Sequence, residues 1–150
     1  MTNDHLLDKL NTLLGTLRDG EKGFADAADH ATEARLKSLF TERSGQRAAM
    51  AAEVEAQITA LGDRPRESGS VGAALHRAWL NVRDALTGRD DAAVVAEVER
   101  GEDVAVQNYQ DVLDETDLPA TIRALVEKQY AQVKASHDQV RDLKHGMQAS

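Results

Sequence analysis

Apolar and small side chains recur along this chain at steps of three and four residues, the spacing of one face of an α-helix. From Leu6 to about Ala31 the stripe runs through Leu7, Leu10, Leu14, Leu17, Phe24, Ala28 and Ala31. Gly15, Gly20 and Gly23 interrupt it. Each costs roughly 1 kcal/mol relative to alanine in a helix interior, so a bend or a close approach to a neighbour is expected there. A second helix is predicted from about Thr32 to Leu61, with Leu36, Phe40, Met50, Val54, Ile58 and Leu61 on its stripe and Gly62 as its stop.

The polar segment Gly62 to Gly69, which holds Pro65, reads as a loop, and Ser70 as the N-cap of a shorter helix from about Val71 to Leu86. That helix would bury Val71, Leu75, Trp79, Val82 and Leu86. Asp90 then caps a helix from Asp91 to about Asp114, striped by Val95, Val98, Ala105, Tyr109 and Val112. Thr116 to Pro119 breaks it. Pro119 fits the first turn of a last helix that carries Ile122, Val126, Val133, Val140 and Leu143.

Four helices of roughly 25 residues are each close to 40 Å long, and matched lengths suggest one bundle. The short helix then falls in the connection between the second and third long helices. Two antiparallel hairpins joined by such a crossover form a single all-α domain over residues 1–150, of the ferritin-like four-helix-bundle type. Composition agrees. Aromatics make up only 3% of the chain and β-branched runs are scarce, so leucine, valine and alanine must fill the core and a sheet is not expected.

Charge narrows the partners. A formal net charge of −8 and a pI near 5.1 argue against nucleic acid and anionic membrane surfaces, both of which need basic patches. No run approaches the ~20 apolar residues of a membrane span, and the N-terminus lacks the basic and apolar regions of a leader, so a cytoplasmic location is expected. The absence of cysteine excludes disulfides, thiolate metal sites and thiol nucleophiles. No serine lies in a nucleophile-elbow context, which argues against a hydrolase. A spare alanine- or leucine-rich face would let the bundle pair with a second copy as a homo-oligomer.

The informative residues are polar ones on the apolar stripes. Glu21 lies between Leu17 and Phe24, Glu102 between Val98 and Ala105, and His137 between Val133 and Val140, so all three should face inward. Glu99 flanks the same side of the third long helix. A first hairpin turning near residue 31 sets Glu21 level with about position 41, beside Glu42, and a last hairpin turning near 116 sets Glu99 level with about 133. A third long helix parallel to the second brings Glu99 and Glu102 near Glu42 and Gln46. His5, His30 and His145 fall near helix ends and read as solvated, and His76 as a packing or capping contact.

Two readings follow. Carboxylates and imidazole converging between helices are what a di-iron or di-manganese site needs, with Glu21, Glu99, Glu102 and His137 as ligands and Glu42 as a fifth. Such a bundle would oxidise ferrous iron with oxygen or peroxide. Yet the chain contains no Glu-x-x-His, and the second helix offers Arg43, Gln46 and Arg47 where ligands are wanted. The other reading is an interior polar layer of Glu102 or Glu21 salt-bridged to Arg43 or Arg47, in a non-enzymatic structural or interaction module with a stress-associated role.

The segments Asp19 to Phe24, Leu36 to Phe40, Gly69-Ser70, His76 to Trp79, Glu99 to Asp103 and His137 to Arg141 resemble a bacterial four-helix-bundle family of unknown function classed with the ferritin-like superfamily. The resemblance covers nearly the whole chain and implies that fold. Glu99-x-x-Glu102 is also similar to the third-helix carboxylate pair of rubrerythrin-type di-iron proteins, and Glu21 to their first-helix ligand. Beyond those three positions the metal pattern does not carry over.

Overall fold

The computed structural model describes residues 1–65 and 90–149. The short helix expected at 71–86, with its Ser70 cap, His76 and Trp79, lies outside the described residues. Among the described residues every regular element is helical: α1 (Asn3–His30), α2 (Ala34–Ala60), α3 (Asp91–Leu113) and α4 (Ala120–Ala149).

Each boundary has a local cause. Thr2 Oγ1 accepts from the backbone N–H of His5, and Asp4 adds negative charge to the first turn of α1. α2 ends in a Schellman arrangement, with Gly62 at φ 85°, its N–H donating to Thr59 and that of Asp63 to Ile58. Asp90 caps α3 through Ala92 N–H, as its sequence position predicts. Pro119 stands one residue ahead of α4, and its carbonyl accepts from Arg123 N–H.

Glu33, at the N-cap of α2, makes no capping bond with its own side chain. Asp91 of α3 supplies the missing acceptors instead. Its carboxylate takes hydrogen bonds from Thr32 N–H at 2.9 Å, Thr32 Oγ1 at 2.8 Å and Glu33 N–H at 3.0 Å. The start of one helix therefore satisfies the start of another, a tie between the first hairpin and the third helix.

α1 packs on α2, α2 on α4, α4 on α3 and α3 on α1. Side-chain pairs give the directions. Asn108 donates to Thr16 while Asp91 holds Thr32, so α3 runs antiparallel to α1 and hence parallel to α2, as the crossover arrangement requires. Arg43 meets Gln139 and Glu53 meets Lys128, so α4 runs antiparallel to α2. Among the described residues the expected stripe positions are buried almost without exception; Leu61 and Leu143 are partly buried at the ends.

The register departs from expectation in the second hairpin. Tyr109 bonds Gln129 and Asp103 bonds His137, so the pair pivots near residue 119 or 120 instead of 116, because α4 begins only at Ala120. Glu99 consequently lies opposite about position 141 rather than 133. In the first hairpin Ser44 Oγ donates to the Glu21 carbonyl, placing Glu21 a few residues further along α2 than position 41.

The core falls into two apolar clusters. One gathers Leu10, Leu14, Leu17, Met50, Val54, Tyr109 and Val126; the other Phe24, Phe40, Val95, Val98 and Val140. Between them on successive helices stand Gly20, Arg47, Glu102 and Ser136, all buried. A polar layer divides the apolar interior.

Candidate functional site

Arg47 and Glu102 form the centre of that layer. Both side chains are 0% exposed, and Arg47 Nη2 lies 2.7 Å from each carboxylate oxygen, donating a hydrogen bond to Oε2. Two ions shut off from water are tolerable because each neutralises the other. The Arg47 guanidinium also sits over the Phe24 ring, 5.3 Å from its centroid, within cation–π range. Gly20 makes the room: a Cβ there would stand 3.1 Å from Arg47 Nη1 and 3.6 Å from its Cγ. The helix interior accepts a glycine at this level because an arginine must pass.

The pairing does not exhaust the layer's hydrogen-bonding capacity. Among the described residues Arg47 Nε and Nη1, Glu102 Oε1 and Ser136 Oγ are buried with no hydrogen-bond partner. About two turns from Ser136 on α4, Gln129 is fully satisfied, accepting from Tyr109 OH at 2.8 Å and donating to the Met50 carbonyl at 3.1 Å and to Glu53. It ties α4 to both α3 and α2. Burial raises the Tyr109 phenol far above its ordinary value, so it stays a neutral donor.

The residues singled out as candidate metal ligands separate. Glu102 faces inward as expected, but against a guanidinium. Glu21 is half-buried. Glu42 is exposed, with Arg43 3.6 Å away as its neighbour. Glu99 and His137 do come together, and with them Asp103: one ligand atom from each lies within 4.8 Å of the others. Among the described residues no other group of three such side chains meets this closely.

His137 is held from both sides. Asp138 Oδ1 is 3.0 Å from its Nδ1 and Asp103 Oδ1 is 2.5 Å from its Nε2, while its side chain is 12% exposed. Burial by itself would lower its pKa; the two aspartates outweigh this and raise it above the ordinary 6.5. Asp138 in turn is held down to about 2 by hydrogen bonds from Lys134 and His137. Lys144 Nζ lies 3.1 Å from Glu99 Oε2 without a hydrogen bond to it. Sequence reasoning placed Asp103 in the acidic run of α3 and Asp138 beside His137 but named neither as a ligand or a partner of the imidazole. The signal for Asp103 was present, since it follows Glu99 by four residues and so shares its helical face.

A comparison with curated proteins finds no match. Residues 5–115, spanning the first three described helices, match a family model described as a domain of unknown function, DUF2383. The polar motifs on α1 and α3 lie inside that span, and the chain belongs to the DUF2383 family of domains of unknown function.

Proposed function

We propose that the protein is a ferritin-like four-helix bundle that works as a non-enzymatic structural or interaction module, its interior polar layer fixing how the helices pair. The observation that carries this reading is the Arg47–Glu102 contact, fully buried between α2 and α3. An interior di-iron or di-manganese centre needs carboxylates and imidazoles facing one another at this level. The side chains present there do not fit one. Arg47 already neutralises Glu102, Ser136 stands on α4 where an acidic ligand is wanted, and Glu42 is turned outward. A cation placed beside Glu102 would face a guanidinium at contact distance.

A buried ion pair is a poor device for stability and a good one for register, because sliding either helix by a turn strands two charges among leucines and valines. The paired apolar clusters on either side have no such selectivity. The module would then act through its acidic surface, in keeping with a net charge of −8.

Elemental analysis of untagged protein, before and after anaerobic incubation with ferrous iron and desalting, tests the reading. No interior metal is expected. Two iron or manganese ions per chain, lost on Glu102→Ala, would overturn it in favour of ferroxidase- or peroxide-related chemistry.

A further inference from the structure

We propose that Glu99, Asp103 and His137 bind a single divalent transition-metal ion that clamps α3 to α4, at a site separate from the Arg47–Glu102 layer. Two helices contribute. Glu99 and Asp103 are one turn apart on α3, and the second hairpin's register, pivoting near 119, carries His137 across to them. A shorter turn would have left His137 facing a different part of α3.

The donor set suits such an ion. One imidazole and two carboxylates match the ligand chemistry of Zn²⁺, Mn²⁺ or Fe²⁺, and no thiolate is available to favour a softer metal. Donors around a metal at about 2.1 Å stand roughly 3 to 3.5 Å apart. The three atoms here lie within 4.8 Å of one another, with His137 Nε2 and Asp103 at 2.5 Å, so rotamer adjustments of about an ångström would admit the ion. Asp138 on Nδ1 orients the ring and leaves Nε2 as the ligand nitrogen, the role a carboxylate plays behind many metal-bound histidines.

The surroundings supply an independent pointer. Glu99 Oε2 is closed off from solvent on a side chain only 13% exposed and accepts no hydrogen bond among the described residues, its sole near counter-charge there being the Lys144 Nζ 3.1 Å away. Lys144, 30% exposed, stands near it as a counter-ion that can swing out to water when a metal takes its place. Asp103, 56% exposed, keeps one side of the site open for entry and for water ligands. Lys134 and Arg141 lie against Asp138, not against the three ligands.

Calorimetric titration of the chelator-stripped full chain with Zn²⁺, and visible absorption with Co²⁺ as a reporter of nitrogen ligation, test the assignment. One Zn²⁺ per chain is expected. His137→Ala and Asp103→Asn should each weaken binding at least tenfold, and Asp138→Asn about tenfold through loss of ring orientation. Because Asp103 is exposed, its variant folds even where the histidine variant does not, which circular dichroism checks. No saturable binding to the wild type, or wild-type affinity in Asp103→Asn, would overturn the proposal while leaving the interior reading intact. A second ion lost on Glu102→Gln would instead overturn the interior reading, with the first ion still assigned by Asp103→Asn.

Discussion

Removing one partner of the Arg47–Glu102 pair should be far more damaging than removing both. Arg47→Met leaves a carboxylate buried among Phe24, Val98 and Ala105, and Glu102→Leu leaves a guanidinium with no counter-charge; each is expected to cost about 3–5 kcal/mol. Neither side chain is solvent-exposed, so no discount for water screening applies. Arg47→Met also forfeits the cation–π contact with Phe24, worth up to about 2 kcal/mol when desolvated, which the methionine sulfur partly replaces. In the double variant both charges are gone, and stability should return to within about 2 kcal/mol of the wild type. The sum of the single losses is then about 6–10 kcal/mol, leaving a coupling of at least about 4 kcal/mol. Urea unfolding followed by helical circular dichroism at fixed pH reads all three. The single variants should also melt roughly 6–20 °C lower, given the usual change per kcal/mol for a chain of this size. Single losses below about 1 kcal/mol, or a double variant whose loss is the sum of the two, would refute the idea that this pair fixes the interior.

Gly45→Ala should stabilise the fold by about 0.5–1 kcal/mol, since its Cβ meets nothing within 4 Å, whereas Gly20→Ala should lose that propensity gain by pushing on the locked Arg47 guanidinium. Equal gains at both positions, measured by urea unfolding, would show that the layer is loose. Asp91→Asn should cost about 1–2 kcal/mol by weakening the tie to Thr32 and Glu33. Burial would raise the Asp91 pKa, but hydrogen bonds from Thr32 and Glu33, with Lys37 nearby, lower it below 3.8. Its folded value lies under its unfolded one, so its contribution is present above pH 3.8 and lost as pH falls through the folded value; the gap between wild type and Asp91→Asn should close in that acid window. The unpartnered Arg47 Nε and Nη1 and Ser136 Oγ predict at least one ordered interior water in a high-resolution crystal structure, and a dry layer there would contradict this.

The four long helices were legible because the 3.6-residue period of leucine and valine is a local property, reinforced by caps such as Asp90 and the stop at Gly62. The same period put Glu102 indoors, and the arginines beside the α2 stripe named its two candidate partners. Choosing Arg47 over Arg43 took the structure: Arg43 turns to Gln139 near the surface, while Arg47 passes Gly20 into the interior. Pattern alone also offered Glu21 and Glu42 as companions of Glu102, and could not see that one is half-buried and the other exposed.

By itself, the sequence determined that the described segments are helical, where each long helix lies to within a few residues, and which apolar side chains face inward, since all three depend on neighbours a turn or less away. Which inward side chain meets which depends on hairpin pivots and the crossing of helices. A pivot shifted by three or four residues moves the opposing helix by about two turns, enough to give His137 to Asp103 and Glu99, while the lie of α2 across the bundle from α3 gives Glu102 to Arg47.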